Sequence, residues 1–219
     1  MSMFKSSEKA SEKAGGFATL EPGKYDAVLH GIIELGVQTK KGYQGAPDKN
    51  VPMLQFLFEI PSVQSDDGVT KLVSKKVPYS LHEKSGLSAV VRALIQSSDQ
   101  DKVVETVHSK EGIEGLIGRA ISVTVDDWTP PDANFPVSVI RELSILDSRL
   151  PEQPKAIREP VLFSISSKDA VEVFTTKLTR HTQKTIIEAV NASTFPAALH
   201  EAYKSLQEDA DDNTNKVLG

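Results

Sequence analysis

His82-Glu83, Asp66-Asp67 and Asp126-Asp127 are the places in this chain where acid–base or metal chemistry could begin. A metalloprotease helix needs H-E-x-x-H, so that two imidazoles reach one ion. His82-Glu83 continues Lys84-Ser85-Gly86 and has no second histidine at that spacing. Glu83 is better suited to start a helix, where the dipole favours a carboxylate. Asp66-Asp67-Gly68 is turn chemistry, and Asp126-Asp127 lead into Pro130-Pro131. A nuclease-type ion site at these aspartates ranks last among the function classes. Residues 36–45, GVQTKKGYQG, lack the G-x-x-x-x-G-K-[ST] spacing that wraps nucleotide phosphates, and no serine stands in a G-x-S-x-G elbow. Cysteine is absent, which removes disulfides, thiolate nucleophiles and cysteine-bearing zinc sites. The expectation is a protein that is not an enzyme and uses no cofactor and no metal.

The chemistry these side chains do favour is contact with an anion. The net charge of −5 argues against a polyanionic partner only if the charges are spread evenly, and they are not. Acids gather at the C-terminal end, with Glu208, Asp209, Asp211 and Asp212 against the single Lys216. Lys40, Lys41 and Lys49 share one loop with one acid, Asp48, and Lys71, Lys75 and Lys76 follow Gly68 with no acid before His82. The ordinary role of such lysines is solvation and edge protection. Single-strand binding adds aromatic platforms to the cations. Tyr43 lies within the basic loop, and Tyr79 ends the lysine-bearing strand. Trp128 shares the polar face of Ser122, Thr124 and Asp126, so it is either a stacking platform or covered by the C-terminal segment. Phe56 and Phe58 alternate with Gln55 and Glu59 and are better read as core.

These residues must be held by strands. Lys24–Gln38 is rich in β-branched and aromatic residues and contains Gly31 and Gly36, the pattern of a sharply bent barrel strand. Pro52–Ile60 alternates strictly, and Asp66-Asp67-Gly68 turns into a third strand, VTKLVSKKVPYSL. Leu87, Val90, Val91, Leu94 and Ile95 then fall at helical spacing over residues 83–98, and Val103, Val104 and Val107 mark a second short helix. Strands resume at 119–128 and 135–143. Three strands, a helical insert and two strands match the five-stranded OB barrel, whose strand 2–3 face and first loop bind oligonucleotides. The fold class expected is mainly β with helical additions (α+β). Residues 1–22 read as a flexible arm, 23–147 as the OB domain, and 148–204 as a linker and helical segment with Ser167 as a cap and helices near 180–190 and 196–207. Residues 205–219 read as an acidic disordered tail. No run approaches the roughly 18 apolar residues of a membrane span, and the polar N-terminus lacks a signal-peptide core.

The pattern A-V-L-x-G-I-I-E-L-G-x-Q of Ala27–Gln38, the F-x-F-E-I of Phe56–Ile60, S-L-H-E-K-S at Ser80–Ser85 and I-G-R-A-I-S-V-T-V at 117–125 resemble the single-stranded DNA-binding proteins of tailed phages. The stretch LFSISSKDAVEVFTTKLTRHTQKTIIEA is similar to that family's C-terminal region, so the likeness covers about residues 23–190. The helical insert departs from the family pattern. The resemblance implies an OB barrel that binds single-stranded DNA with little sequence preference in DNA replication or recombination, in the cytoplasm of an infected bacterium, without catalysis. It adds that the acidic tail, Glu208 to Asp212, modulates binding or recruits replication and recombination proteins; simple solubility is the other role of such a tail. The different function class is a virion structural or assembly protein that uses a barrel for protein contacts. Oligomeric state stays open.

Overall fold

The computed structural model describes residues 20–42, 45–65, 68–130, 134, 136–146 and 153–217, and the side chains of the last helix as far as Glu208. Tyr43, Asp66, Asp67 and residues 1–19 of the expected arm lie outside the described residues. The class is α+β, a mainly antiparallel sheet with several helices. Its elements are β1 (Gly23–Lys40), β2 (Lys49–Gln64), β3 (Thr70–Pro78), α1 (Gly86–Ile95), α2 (Gln100–His108), β4 (Ala120–Trp128), β5 (Val137–Ser144), β6 (Val161–Phe163), α3 (Ala170–Thr176), α4 (Arg180–Ile187) and α5 (Ala197–Val217). Short 3-10 turns at Gly112–Leu116 and Ala192–Thr194 complete the order.

The sheet runs β3-β2-β1-β4-β5, with β6 added parallel to β1. Its outer strands β3 and β5 approach each other, and the Lys75 ammonium donates to the Ile140 carbonyl at 2.9 Å. No backbone ladder joins them among the described residues, so the sheet is not closed into a barrel.

Alternation in β2 does what its sequence predicts. Leu54, Phe56, Phe58 and Ile60 are buried in one core with Ala27, Leu29 and Ile32 of β1, Ile121, Val123 and Val125 of β4, and the apolar stripe of α1. Phe56 and Phe58 are fully buried and stacked 6.5 Å apart. Burial of each such ring is worth roughly 1.5–3 kcal/mol. Helix α1 begins later than expected, because the Ser85 hydroxyl accepts the Ser88 N–H at 3.1 Å and caps it. Glu83 stays outside the helix, and its carbonyl accepts from Arg92. Leu20 is also part of this core, and its N–H donates to the Ser138 hydroxyl at 2.8 Å. The expected mobile arm therefore cannot extend to residue 22.

A second core lies on the opposite face of β1 and β2. Ile33 and Leu35 pack there against Phe163, Phe174, Ile186, Phe195 and Leu199, with Met53 and Leu57 of β2 beside them. The two glycines inside β1 make this possible. A Cβ on Gly31 would sit 2.5 Å from the Val161 carbonyl oxygen of β6; a Cβ on Gly36, whose φ is +72°, would sit 2.6 Å from the Phe195 ring. Both lie at register shifts in β1. They mark irregularities in the β1–β2 ladder, and they let the C-terminal segment touch the backbone of β1.

Two expectations for that segment change. The linker is partly docked rather than free: the Ile157 and Arg158 N–H groups donate to the Glu59 carboxylate at 3.0 and 3.3 Å. Ser167 does not cap α3. Its hydroxyl donates to the Ser164 carbonyl, and Asp169 holds the capping position without a side-chain bond. The backbone of residues 205–217 continues helix α5. No helix among the described residues is long and apolar enough to cross a membrane.

Candidate nucleic-acid interface

Lys40 and Lys49 face each other at the last pair of the β1–β2 ladder, and both are exposed. Their like charges destabilise that pair unless water or an anion intervenes. Lys41 follows, bonded to Asp48 at 3.0 Å in an exposed ion pair. Asp48 also accepts the Gly42 N–H, and this bond, ahead of Lys41, holds its carboxyl below the usual range. The hairpin tip therefore presents three lysines in a loop shaped by one aspartate.

Strand alternation separates the lysines of β3. Lys71 pairs with Ile60 and Lys75 with Phe56, so these two share the inward face, whereas Lys76 pairs with Gln55 on the outward face. Half-burial lowers the pKa of Lys75, whose ammonium is committed to the Ile140 carbonyl. Lys76 lies under α4. Its ammonium is 3.4 Å from both the His181 ring Nε2 and the Thr185 hydroxyl. The side chain as a whole stays exposed, but partial burial of the ammonium against the helix lowers its pKa too.

Helix α4 is placed over this face from both sides. The Thr179 hydroxyl caps it, accepting the Thr182 N–H at 3.3 Å. Buried Thr182 lies 3.5 Å from Gln55 of β2, and Gln38 of β1 donates to the Thr185 carbonyl at 3.0 Å. The outward face of β2 and β3 is thus covered, and Arg180, His181 and Lys184 are exposed on the helix that covers it. Sequence reasoning missed these three. The available signal was the spacing of His181 and Lys184, which puts both on one side of a capped helix.

The aromatic candidates are dispersed. Trp128 is 46% exposed at the end of β4, opposite Val137, so the C-terminal segment does not cover it. Tyr79 is equally exposed and lines a 390 Å³ cleft with Ile32, Glu34, Met53 and Glu114. Its two carboxylates make that cleft unsuited to a phosphate chain. Asp126 is tied to Arg141 at 3.1 Å, and the His82 ring accepts the Lys84 N–H within its turn. No family model and no curated protein matches the chain.

Proposed function

We propose that the protein is an OB-fold single-stranded DNA-binding protein, acting in phage DNA replication or recombination with little sequence preference and without catalysis. The observation that carries this reading is the strand order β3-β2-β1-β4-β5 with its helices inserted between β3 and β4 and with β3 beside β5. An OB barrel has that connectivity, and its first loop lines the oligonucleotide groove. Here that loop carries Lys40, Lys41 and Lys49, which would take backbone phosphates, while Trp128 offers an exposed ring for stacking. The acidic end of α5 would serve as the partner-recruiting element.

A titration of labelled oligo(dT) across salt concentrations tests the reading. Binding should weaken with salt, and the three hairpin lysines, at roughly 0.7 each, should contribute about −2 to the logarithmic slope. Lys40→Glu with Lys49→Glu should flatten that slope and weaken binding at least tenfold. No binding by the wild type at about 50 mM salt would sink the proposal.

A further inference from the structure

Helix α4 brings a second set of basic side chains to the outward face, with the exposed acid Glu188 beside them. Lys76 arrives from β3, and His181 and Lys184 from α4. Among the ion pairs of the described residues, none involves Lys76, and the single acid near the group, Glu188, lies 3.7 Å from Lys184 in an exposed pair. An ammonium held 3.4 Å from an imidazole is a costly arrangement when both carry charge. The surroundings favour the neutral imidazole. Burial lowers the His181 pKa first, then the charges of Lys76 and Lys184, with Glu188 opposing them. In that state Nε2 can accept from Lys76. An incoming anion reverses the balance, because it favours the protonated ring and turns Nε2 into a donor.

The geometry points to a phosphate-binding cluster formed by Lys76, His181 and Lys184, which takes a backbone phosphate of single-stranded nucleic acid on the outer surface of α4. The inference rests on the DNA-binding reading and sharpens it. The covering helix becomes part of the groove rather than an obstacle to it. The Gln38–Thr185 bond ties α4 to the end of β1, two residues before Lys40, so the cluster and the hairpin tip occupy one side of the molecule.

Two measurements on the full chain test the cluster. In the first, the His181 ring proton is followed by NMR against pH, with inorganic phosphate or chloride at matched ionic strength and with His181→Gln for assignment. Phosphate should raise the His181 pKa by roughly half a unit or more. Lys76→Gln or Lys184→Gln should abolish the rise. An identical pKa in the two salts overturns the cluster.

In the second, oligo(dT) affinity is measured at about pH 6 and pH 8 over a salt series. The wild type should bind several-fold tighter at the lower pH, and His181→Gln should lose that difference. The Lys76→Gln, Lys184→Gln double variant should reduce the salt slope by about 0.7, the share of one single-strand phosphate contact. Wild-type binding with an unchanged slope in the double variant and an unchanged pH response in His181→Gln also overturns the cluster, while leaving the hairpin tip as the binding site. Absence of oligo(dT) binding by the wild type overturns the DNA reading instead. The phosphate titration then decides the cluster on its own.

Discussion

Glu59 has no exposed surface, yet its carboxylate is among the best-satisfied groups in the molecule. It accepts the Thr70 hydroxyl at 2.5 Å and the N–H groups of Ile157 and Arg158, and Arg158 in turn donates to the Thr70 carbonyl and hydroxyl. One side chain of β2 therefore fastens β3 and the segment leading to β6. Removing it strands two backbone donors and a hydroxyl. Glu59→Ala should cost roughly 3 kcal/mol, read as a fall in the urea midpoint, and residues 155–160 should gain protease sensitivity. An unchanged midpoint would show that the segment is held by its apolar contacts alone. His30 lies beside this carboxylate, with Nδ1 4.0 Å away and without a hydrogen-bond partner among the described residues.

At the scale of elements, β1 is the member on which everything else is hung. It pairs with β2 over Val28–Lys40, with β4 over Gly23–Val28, and with β6 over Gly31–Ile33. Beyond that, the Val37 N–H donates to the Asn191 side-chain oxygen, and the Val37 carbonyl accepts the Val190 N–H. Gly36→Ala should therefore disturb the joint between β1 and the C-terminal helices more than the strand itself. A positive φ plus a methyl against Phe195 predicts a loss of about 2–4 kcal/mol. Hydrogen exchange should show it first at the Val37 and Val190 amides; a loss of protection confined to the β1–β4 ladder would contradict the assignment. Much of this frame was legible in the residues. Strict alternation identified β2 and its buried phenylalanines, and the helical spacing of Leu87 to Leu94 identified α1. The second layer was less legible, although its signal was present. Met53 and Leu57 are apolar on the face that Gln55 and Glu59 make look wet, and a strand apolar on both faces is covered on both. β6 could not be read from its residues, because three residues carry no period. The β3 lysines were found as a group, but strand alternation divides them, and the partners of Lys76 lie on a helix more than a hundred residues away.

For the molecule as a whole, stability should depend on pH in a definite direction. Burial holds the His30 pKa below its ordinary 6.5, ahead of the opposing pull of Glu59, and His181 is lowered as well. A histidine whose folded pKa is depressed binds fewer protons when folded than when unfolded. Stability is then complete above the unfolded value and falls as pH drops through 6.5 toward the folded one. Urea midpoints should decline from pH 7.5 to 5.5, and His181→Gln should remove only part of the decline, the remainder belonging to His30. A flat profile would place His30 in water rather than beside Glu59. The union of β1 with β6 and the 3-10 turn has a further consequence, for the newborn chain. Val37 and Asn191 are 154 residues apart, and Glu34 and Ile165 are 131 apart. At 5–20 residues per second, the ribosome leaves the far half of β1 unpaired on one side, with Ile33 and Leu35 bare, for roughly seven to thirty seconds. In that interval the strand is an adhesive edge in a crowded cell, and a holdase that shelters it during translation would raise the yield of folded protein more than one added after release.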